Sequence, residues 1–357
     1  MNTTAAASAA KPTHTAKLVE VPDDLEAINA TFYERHWTDG LPIIPPTKER
    51  VERMIAGSGR AASEVIGIIP PSYGAATVER IAINAVMAGC LPEYMPVLIA
   101  ATDALTTKGF NIHAMQNTTN PVAVWLIVNG PITKKIKMNS GINCIGQGNR
   151  ANSSLGRALH LVMQNIGGAY PGVEDRSTHG QPGKLAFCCA ENEDENPWEP
   201  LQVEKGHTKD TSMVTVVGAS GTHNMNTHAK DADDLIKVIA DSLILSPSND
   251  YWIGGSPWVI IGPEHAAILK EGGLTKNDIR RRLWEASKMS AKLLAKMELA
   301  RIQHTRREEL GDITLDTMLP ISRSPDDIGL VVAGGPGTHS VYVQSFGDTK
   351  AASRVVK

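Results

Sequence analysis

The chain has 357 residues, of which 42% are hydrophobic and 20% are charged, and its formal net charge at pH 7 is −3. These values are ordinary for a globular protein, and the length predicts two domains or one large duplicated domain. The sequence contains no long run of one charge sign, which argues against a nucleic-acid or membrane-surface partner. It also contains no stretch of about 18 apolar residues, so we predict no membrane-spanning segment.

The cysteine content and the N-terminal composition indicate a reducing compartment. The four cysteines are Cys90, Cys144, Cys188 and Cys189. None shows CxxC spacing, and a disulfide framework would be sparse for this length, so we expect reduced thiols and a cytoplasmic location. The first 17 residues are rich in Ala, Thr and Ser and lack the apolar segment of a secretory signal. We predict that residues 1–20 form a disordered tail.

Helical and strand patterns alternate along most of the chain. In chain order, the predicted elements are a helix at 23–37, a helix at 47–55, a strand at 65–69, helices at 77–88 and 93–106, a strand at 122–128, a helix at 151–166, strands at 185–189 and 213–217, a helix at 231–245, a strand at 258–261, helices at 264–271 and 277–287 with an extension past residue 301, and a strand at 329–333. Short β-branched runs followed by segments of helical period indicate parallel βαβ units.

Two pairs of short segments indicate a repeat. Residues 216–224 (VVGASGTHN) are similar to residues 332–340 (VAGGPGTHS), and residues 125–131 (WLIVNGP) are similar to residues 258–263 (WVIIGP). Apolar strands followed by glycine also look alike by chance. The repeat is therefore a hypothesis, which the alternating order of strands and helices supports.

The predicted fold class is α/β, with two similar βαβ-type halves, mainly parallel sheets and an internal duplication. The polar stretch that begins at Glu191 places the boundary between the halves near 200–210, which gives halves of 21–205 and 206–357. In open parallel sheets, ligands bind outside the carboxyl ends of the strands. We therefore expect the strand ends of both halves to form one polar site.

Three histidines follow predicted strands within a few residues, each separated from the strand by Gly or Gly-Pro. They are His223, His265 and His339. If their strands share one sheet, the imidazoles converge and are candidates to bind a divalent metal, to act as acid and base, or to hold an anion. The alternative is that each ring caps a loop and bonds to backbone. No HExxH motif accompanies them, so zinc has the weaker support.

Cys90 and Glu191 are further catalytic candidates. Cys90 precedes a predicted helix, and a thiol near a helix N-terminus lies at the positive end of the helix dipole, which lowers its pKa and favours the thiolate. The alternative is ordinary packing, since free cysteine is among the most buried residue types. Glu191 follows a predicted strand and is a candidate general base.

A Gly-rich loop at 146–157 (GQGNRANSSLGR) runs into a predicted helix and is a candidate anion site. Free N–H groups, the positive end of the helix dipole and two arginines suit a carboxylate or a phosphate. The candidate substrate-binding residues are Asn149, Arg150, Asn152 and Arg157. A plain helix cap explains the glycines and asparagines but not Arg150. The loop is neither a Walker A motif nor a GxGxxG after a strand, so no nucleotide is predicted.

Five short segments resemble a family of poorly characterised bacterial proteins. The segments are 38–42 (TDGLP), 84–90 (NAVMAGC), 148–152 (GNRAN), 197–201 (PWEPL) and 262–266 (GPEHA). This family is associated with small partner proteins that bear a UGSC selenocysteine or cysteine motif. The resemblance extends from about residue 37 to the C-terminus. It implies a bacterial source and a thiol- or selenol-bearing partner, but it implies no particular reaction or catalytic residue.

The leading hypothesis is an enzyme that acts on a small polar or anionic metabolite. Lyase or hydrolase chemistry is favoured, because the sequence shows no dinucleotide fingerprint for hydride transfer. The strand-end histidines would supply acid–base or metal chemistry, and Cys90 would add a covalent step. A thiol-based oxidoreductase is the alternative enzyme. A non-catalytic subunit that positions a partner protein and a simple ligand-binding protein also stay open, as does assembly into a homo-oligomer.

Overall fold

The computed structural model of the chain describes residues 16–246 and 248–357, so most of the predicted tail at 1–20 lies outside the described residues. The helices are α1 (Leu25–Glu34), α2 (Lys48–Ser58), α3 (Val78–Ala88), α4 (Met95–Leu105), α5 (Ile112–Gln116), α6 (Ile132–Lys135), α7 (Arg150–Gly167), α8 (Leu201–Glu204), α9 (Ala232–Leu243), α10 (Asn249–Ile253), α11 (Pro263–Glu271), α12 (Lys276–Ala286) and α13 (Lys296–Leu310). The strands are β1 (Val65–Ile69), β2 (Gly74–Thr77), β3 (Ala123–Asn129), β4 (Cys188–Ala190), β5 (Met213–Asn226), β6 (Trp258–Ile261), β7 (Met289–Ser290), β8 (Met318–Leu319), β9 (Gly329–Val332), β10 (His339–Ser345) and β11 (Ala352–Val355).

Side-chain caps determine where several helices begin. Thr77 accepts a hydrogen bond from the N–H of Arg80 at the start of α3, and Asn149 accepts one from the N–H of Asn152 at the start of α7. These caps satisfy backbone donors that have no partner within the helix. Within the described part of the chain, no helix is long and apolar enough to cross a membrane.

A seven-stranded mixed sheet forms the centre of the fold. Its strand order is β4-β3-β5-β10-β6-β9, and β11 pairs with the first part of β5. The outer pairs, β3 with β4 and β6 with β9, are parallel. The inner pairings are antiparallel: β5 pairs with β3, β10 and β11, and β10 pairs with β6. Two smaller antiparallel pairs, β1 with β2 and β7 with β8, lie apart from this sheet.

The prediction of an α/β fold is confirmed, but the prediction of mainly parallel sheets is not, because four of the six pairings in the main sheet are antiparallel. The difference comes from β10, which the sequence pattern does not predict. β10 follows β9 after the short loop 333–338. A parallel return needs a crossover of about a dozen residues or more, so this short connection is compatible only with an antiparallel strand.

The strand order has the same pattern on each side of its midpoint. On one side lie β4, β3 and β5, and on the other lie β9, β6 and β10, each set having its parallel pair outermost. Residues 125–131 and 258–263, which are similar in sequence, correspond to β3 and β6. Residues 216–224 lie within β5, whereas residues 332–340 cross the loop from β9 to β10, so this second match joins segments of different structure. A duplication of sequence therefore stays a prediction.

Alternating side chains place separate cores on the two faces of the sheet. The β3–β4 end of one face packs against α3, α4 and α7, and the β6–β9 end of this face packs against α9, α11 and α12, so all six of these helices pack on one face of the sheet. The opposite face, here called the inner face, carries Trp125, Ile127, Cys189, Trp258 and Ile260. The rings of Trp125 and Trp258 lie 5.8 Å apart. Because β5 and β10 separate their strands, and adjacent strands lie about 4.8 Å apart, this contact requires the sheet to curl towards the inner face.

Candidate functional site

A cavity of about 250 Å³ opens beside the inner face. The loop 142–145, which precedes α7, forms one wall. The other wall consists of the carboxyl ends of β6 and β9, the loop 333–338 and the beginning of β10. Residues from both sides of the predicted boundary at 205/206 therefore line one cavity.

Two cysteines meet at this cavity. Cys144 lines it, with 5% of the residue exposed, while Cys189 on β4 is fully buried behind it. Cys189 is the side-chain hydrogen-bonding neighbour that has the largest effect on the pKa of Cys144. Both cysteines are free thiols. The structure thus places a buried thiol that lines the cavity beside a second, fully buried thiol.

The four thiols differ in pKa. The hydrogen bond from Cys189 lowers the pKa of Cys144, and the N–H groups of Cys144 and Ile145 act in the same direction, whereas burial opposes them. Burial raises the pKa of Cys90 to about 12 and raises the pKa of Cys188 further. The hydrogen bond that Cys189 donates, together with burial, raises its own pKa. Because the thiolate is the nucleophile, Cys144 is the thiol best suited to react.

Asn152 holds the loop that carries Cys144. Its Nδ2 donates to the carbonyl oxygens of Cys144, at 2.9 Å, and of Asn139, at 2.8 Å. Its Oδ1 accepts from the N–H of Asn139 at 3.0 Å. The side chain is buried in the first turn of α7, directly after the Asn149 cap. Both amide hydrogens of this predicted substrate-binding residue are therefore used within the protein.

His339 lines the same cavity at the start of β10. Alternation along β10 places its side chain on the inner face with Val341 and Val343. Its Nδ1 lies 3.1 Å from the amide nitrogen of Asn224; with that nitrogen as the donor, Nδ1 accepts and the ring N–H is on Nε2. Among the described residues, this Nε2–H has no acceptor.

His265 lies on α11 and is committed to structural hydrogen bonds. Its Nε2 donates to the carbonyl oxygen of Thr227 at 3.2 Å, and its Nδ1 lies 2.8 Å from Oγ of Ser340. Burial lowers the pKa of His265, which disfavours the charged form of the ring. The alternation that puts His339 on the inner face puts Ser340, and with it His265, on the opposite face.

His223 does not join the other two histidines. It is exposed on β5 and pairs with Tyr342 in the ladder, so its side chain lies on the face opposite to that of His339. In residues 16–246 and 248–357, no group of three or more His, Cys, Asp or Glu is placed to hold a metal ion. The expected convergence of three imidazoles is therefore not found, because strand alternation and the position of His265 on a helix separate the rings.

Cys90 is packed in the core rather than placed at a cavity mouth. It follows α3, which ends at Gly89 in a left-handed conformation with φ +85°. Its thiol donates to the carbonyl oxygen of Ser154 at 3.4 Å. Since burial raises its pKa to about 12, the thiol is protonated at neutral pH. This environment is that of a packing cysteine.

The two arginines of the Gly-rich loop do not converge on a common anion. Arg157 binds Asp39 with two hydrogen bonds, Nε to Oδ2 at 2.7 Å and Nη2 to Oδ1 at 2.8 Å. Burial raises the pKa of Asp39, but its hydrogen bonds, above all those from Arg157, produce a net lowering. Arg150 is exposed and donates to the carbonyl oxygen of Gly89 at 3.0 Å. Arg157 therefore anchors the segment around Asp39 onto α7.

Glu191 is buried where β4 ends. It accepts hydrogen bonds from Asn129, from Asn196 at 2.8 Å and from the N–H of Leu201 at 2.8 Å, and the Nζ of Lys276 lies 3.9 Å away. Burial raises its pKa to about 7. These contacts join β4 to α8 and α12. Both oxygens of the carboxylate are occupied, so the structure shows a structural anchor at this predicted base.

A larger cavity of about 740 Å³ lies between α7 and the segment 169–185. Its charged lining residues Lys184 and Asp175 form an ion pair with each other. His160 at its edge accepts from the N–H of Val124 at 3.3 Å and lies 2.9 Å from the carbonyl oxygen of Gly156. Burial lowers its pKa to about 4, so it is neutral. The charges of Lys184, Asp175 and Asp39 here are already paired, and a thiol lines only the smaller of these two cavities, which makes that cavity the better candidate site.

The sequence patterns single out His339 as a candidate site residue but not Cys144, which lines the same cavity. Cys144 stands in a turn, NCIGQG, that matches no catalytic motif. Its neighbour in space, Cys189, ends the strand predicted at 185–189, directly after Cys188. One local signal was available: adjacent residues of a strand face opposite sides, so of the two only one can lie on the inner face.

Comparisons with known proteins give no family for this chain. No family model matches the sequence. No curated protein matches it either. The assignment of function therefore depends on the geometry and chemistry of the cavity.

Proposed function

We propose that the protein is a thiol-based oxidoreductase in which Cys144 and Cys189 act on a small sulfur-containing molecule in the cavity beside the inner face. The observation that supports this proposal is the contact between the two thiols, one of which lines the cavity. Among the described residues that line it, His339 is the one titratable acid–base group besides Cys144, and no carboxylate is present. Thiol chemistry thus has more support there than the lyase or hydrolase reaction that the sequence favours.

The proposed reaction is a thiol–disulfide exchange. The Cys144 thiolate attacks one sulfur of a substrate disulfide, the substrate S–S bond breaks, and one half leaves as a thiolate. Cys189 then gives its proton to the released thiolate and attacks the Cys144 sulfur of the mixed disulfide. A Cys144–Cys189 disulfide forms and the second half of the substrate leaves. Two electrons pass from the protein to the substrate, and an external thiol must reduce the protein for a further cycle.

The resemblance to the UGSC-associated family gives that external thiol a candidate source. A thiol- or selenol-bearing partner protein would attack the Cys144–Cys189 disulfide and return both cysteines to the reduced state. The partner protein would then be the reductant, and this chain would contact the small molecule. The non-catalytic role, in which the chain only positions a partner, would leave the thiol pair without a function.

The test is to treat the reduced protein with bis(2-hydroxyethyl) disulfide and to identify the products by mass spectrometry of peptides. We expect the native chain to form the Cys144–Cys189 disulfide. The Cys189→Ala variant should instead accumulate a mixed disulfide at Cys144. Cys188→Ala is the matched control, because Cys188 is adjacent but lies on the opposite face of β4.

The control decides between chemistry and packing. If Cys188→Ala forms the Cys144–Cys189 disulfide as the native chain does, then disulfide formation requires the cysteine on the inner face of β4 and not its neighbour on the opposite face. The proposal is wrong if Cys144 stays unmodified in the native chain, or if the two alanine variants behave alike.

A further inference from the structure

We propose that the cavity holds its substrate by a carboxylate, which accepts hydrogen bonds from the N–H groups of Gly335 and Gly337 and from Nε2 of His339. The substrate would be a short aliphatic molecule with a carboxylate at one end and sulfur at the other. The inference that the substrate contains sulfur rests on the proposed function. The inference that the substrate carries a carboxylate depends only on the loop 333–338 and on His339.

Two residues that line this side of the cavity carry backbone N–H groups without a partner. Within residues 16–246 and 248–357, the N–H groups of Gly335 and Gly337 have no acceptor, whereas the neighbouring N–H of Gly334 donates to the carbonyl oxygen of Ser140. Gly337 has φ +144°, a conformation that side chains disfavour. Pro336, which has no N–H, separates the two donors, so an anion would be held between the N–H groups of Gly335 and Gly337 rather than by consecutive N–H groups.

His339 adds a side-chain donor to the same wall. The hydrogen bond from Asn224 occupies its Nδ1 and fixes the ring proton on Nε2. A neutral imidazole with its N–H directed by a partner is a hydrogen-bond donor to an anion even when it carries no charge. No carboxylate stands among the described residues lining the cavity, so none would repel the ligand.

The remaining walls select a short apolar chain. Their side chains are mainly apolar, and Asn143 and Ser340 are the polar members; the apolar ones are Ile142, Ile145, Ile260, Ala333, Pro336 and Val341. The volume of about 250 Å³ lies below the range of about 300–1,000 Å³ that is usual for drug-sized ligands. The molecule must therefore be smaller than a peptide or a nucleotide.

Ile142 sits where the two walls approach each other. A Cβ added at Gly335 would lie 2.3 Å from Cγ1 of Ile142, so the loops 142–145 and 333–338 are nearly in contact. Ile142 is nevertheless 74% exposed, which places it at the mouth rather than in the core. The mouth thus has an apolar edge, while the donors and Cys144 lie on the cavity lining.

The test compares butyrate with butyramide, which have the same chain but differ in charge, by calorimetric titration of the reduced protein. We expect butyrate to bind at least tenfold more tightly. Val341→Glu should abolish this preference, because a carboxylate in the wall repels a carboxylate ligand. Val341→Gln is the matched control of equal size, and it should keep the preference. The ratio of the two dissociation constants is the readout, so a general loss of affinity does not affect the conclusion.

Amide NMR provides a second measurement that needs no variant. Addition of butyrate should shift the N–H resonances of Gly335 and Gly337 downfield, and butyramide should not. Equal binding of the two ligands, equal behaviour of the two Val341 variants, or unshifted glycine resonances would overturn the proposal. Tighter binding of inorganic phosphate than of butyrate would overturn the assignment to a carboxylate.

The Cys144→Ala variant separates this inference from the proposed function. It cannot carry out exchange, yet it should keep the preference for butyrate. If the native chain prefers butyrate but its Cys144 never reacts with disulfides, the carboxylate site stands and the oxidoreductase fails. If exchange occurs without any preference for butyrate, the oxidoreductase stands and the carboxylate site fails.

Discussion

The side-chain amide of Asn152 donates a hydrogen bond of 2.9 Å to the carbonyl oxygen of Cys144, which ties the first turn of α7 to the loop that carries the thiol. The same amide holds Asn139 at the other end of that loop. A residue that the sequence presents as a substrate ligand therefore acts on the candidate nucleophile through the backbone. Its substitution should change the reactivity of a thiol that it does not touch with its own side chain.

We expect Asn152→Ala to slow the alkylation of Cys144 by about tenfold and to destabilise the fold by about 1–3 kcal/mol, since buried backbone acceptors lose their donors. Mass-spectrometric counting of iodoacetamide-labelled Cys144 against time gives the first quantity, and urea unfolding gives the second. Ser153→Ala, at a neighbouring half-buried position, is the control. Equal effects of the two substitutions would show that Asn152 does not position the loop.

The pKa of Cys144 should depend on the hydrogen bond from Cys189. We expect the pH profile of Cys144 alkylation in the native chain to rise at lower pH than that of an ordinary cysteine, because the bonded thiolate is favoured. Cys189→Ala removes the donor and should move the profile to higher pH. Cys189→Ser keeps a donor and should move it less. A profile that is the same in all three proteins would contradict the assigned cause.

Asp250 should make stability decrease as pH rises. It is buried against Tyr342 and Ser345, and burial raises its pKa from 3.8 to about 6. The folded protein therefore binds a proton more tightly than the unfolded chain, so this contribution to stability is complete below about pH 3.8 and is lost as the pH rises through about 6. The loss is on the order of 3 kcal/mol.

The measurement for Asp250 is urea unfolding of the native chain and of Asp250→Asn at several pH values between 4 and 7. The amide does not titrate, so the stability of the native chain relative to the variant should fall across this range. A difference that is constant with pH, or that grows with pH, would show that the carboxyl is not protonated in the fold.

The Asp39–Arg157 ion pair should contribute more to the free energy of unfolding than an exposed ion pair does. Both side chains are largely buried, and Asp39→Asn leaves the guanidinium without its partner charge, so we expect a loss of about 3 kcal/mol in the free energy of unfolding. Asp194→Asn breaks the exposed pair with Lys134 and should cause no measurable change. Thermal or urea unfolding of both variants checks the contrast, and equal losses would contradict it.

The sequence by itself determined the local structure where a pattern is strong. The strands at 65–69 and 258–261 have the predicted bounds, and α3 begins one residue after its predicted start because Thr77 is the cap. These elements depend on apolar runs, caps and glycine stops, which are properties of neighbouring residues. The sequence also places His339 directly after a glycine-rich strand end, and the structure places it on the lining of the smaller cavity.

Only the tertiary structure decided which residues meet. β10 follows a loop of glycine and proline, and its antiparallel place between β5 and β6 depends on pairing with strands distant in sequence. That placement separated His223 and His265 from His339. The contact of Cys144 with Cys189 likewise requires the sheet to place β4 beneath the loop that Asn152 holds. Such contacts arise from strand order and curvature, and no local pattern in the sequence encodes them.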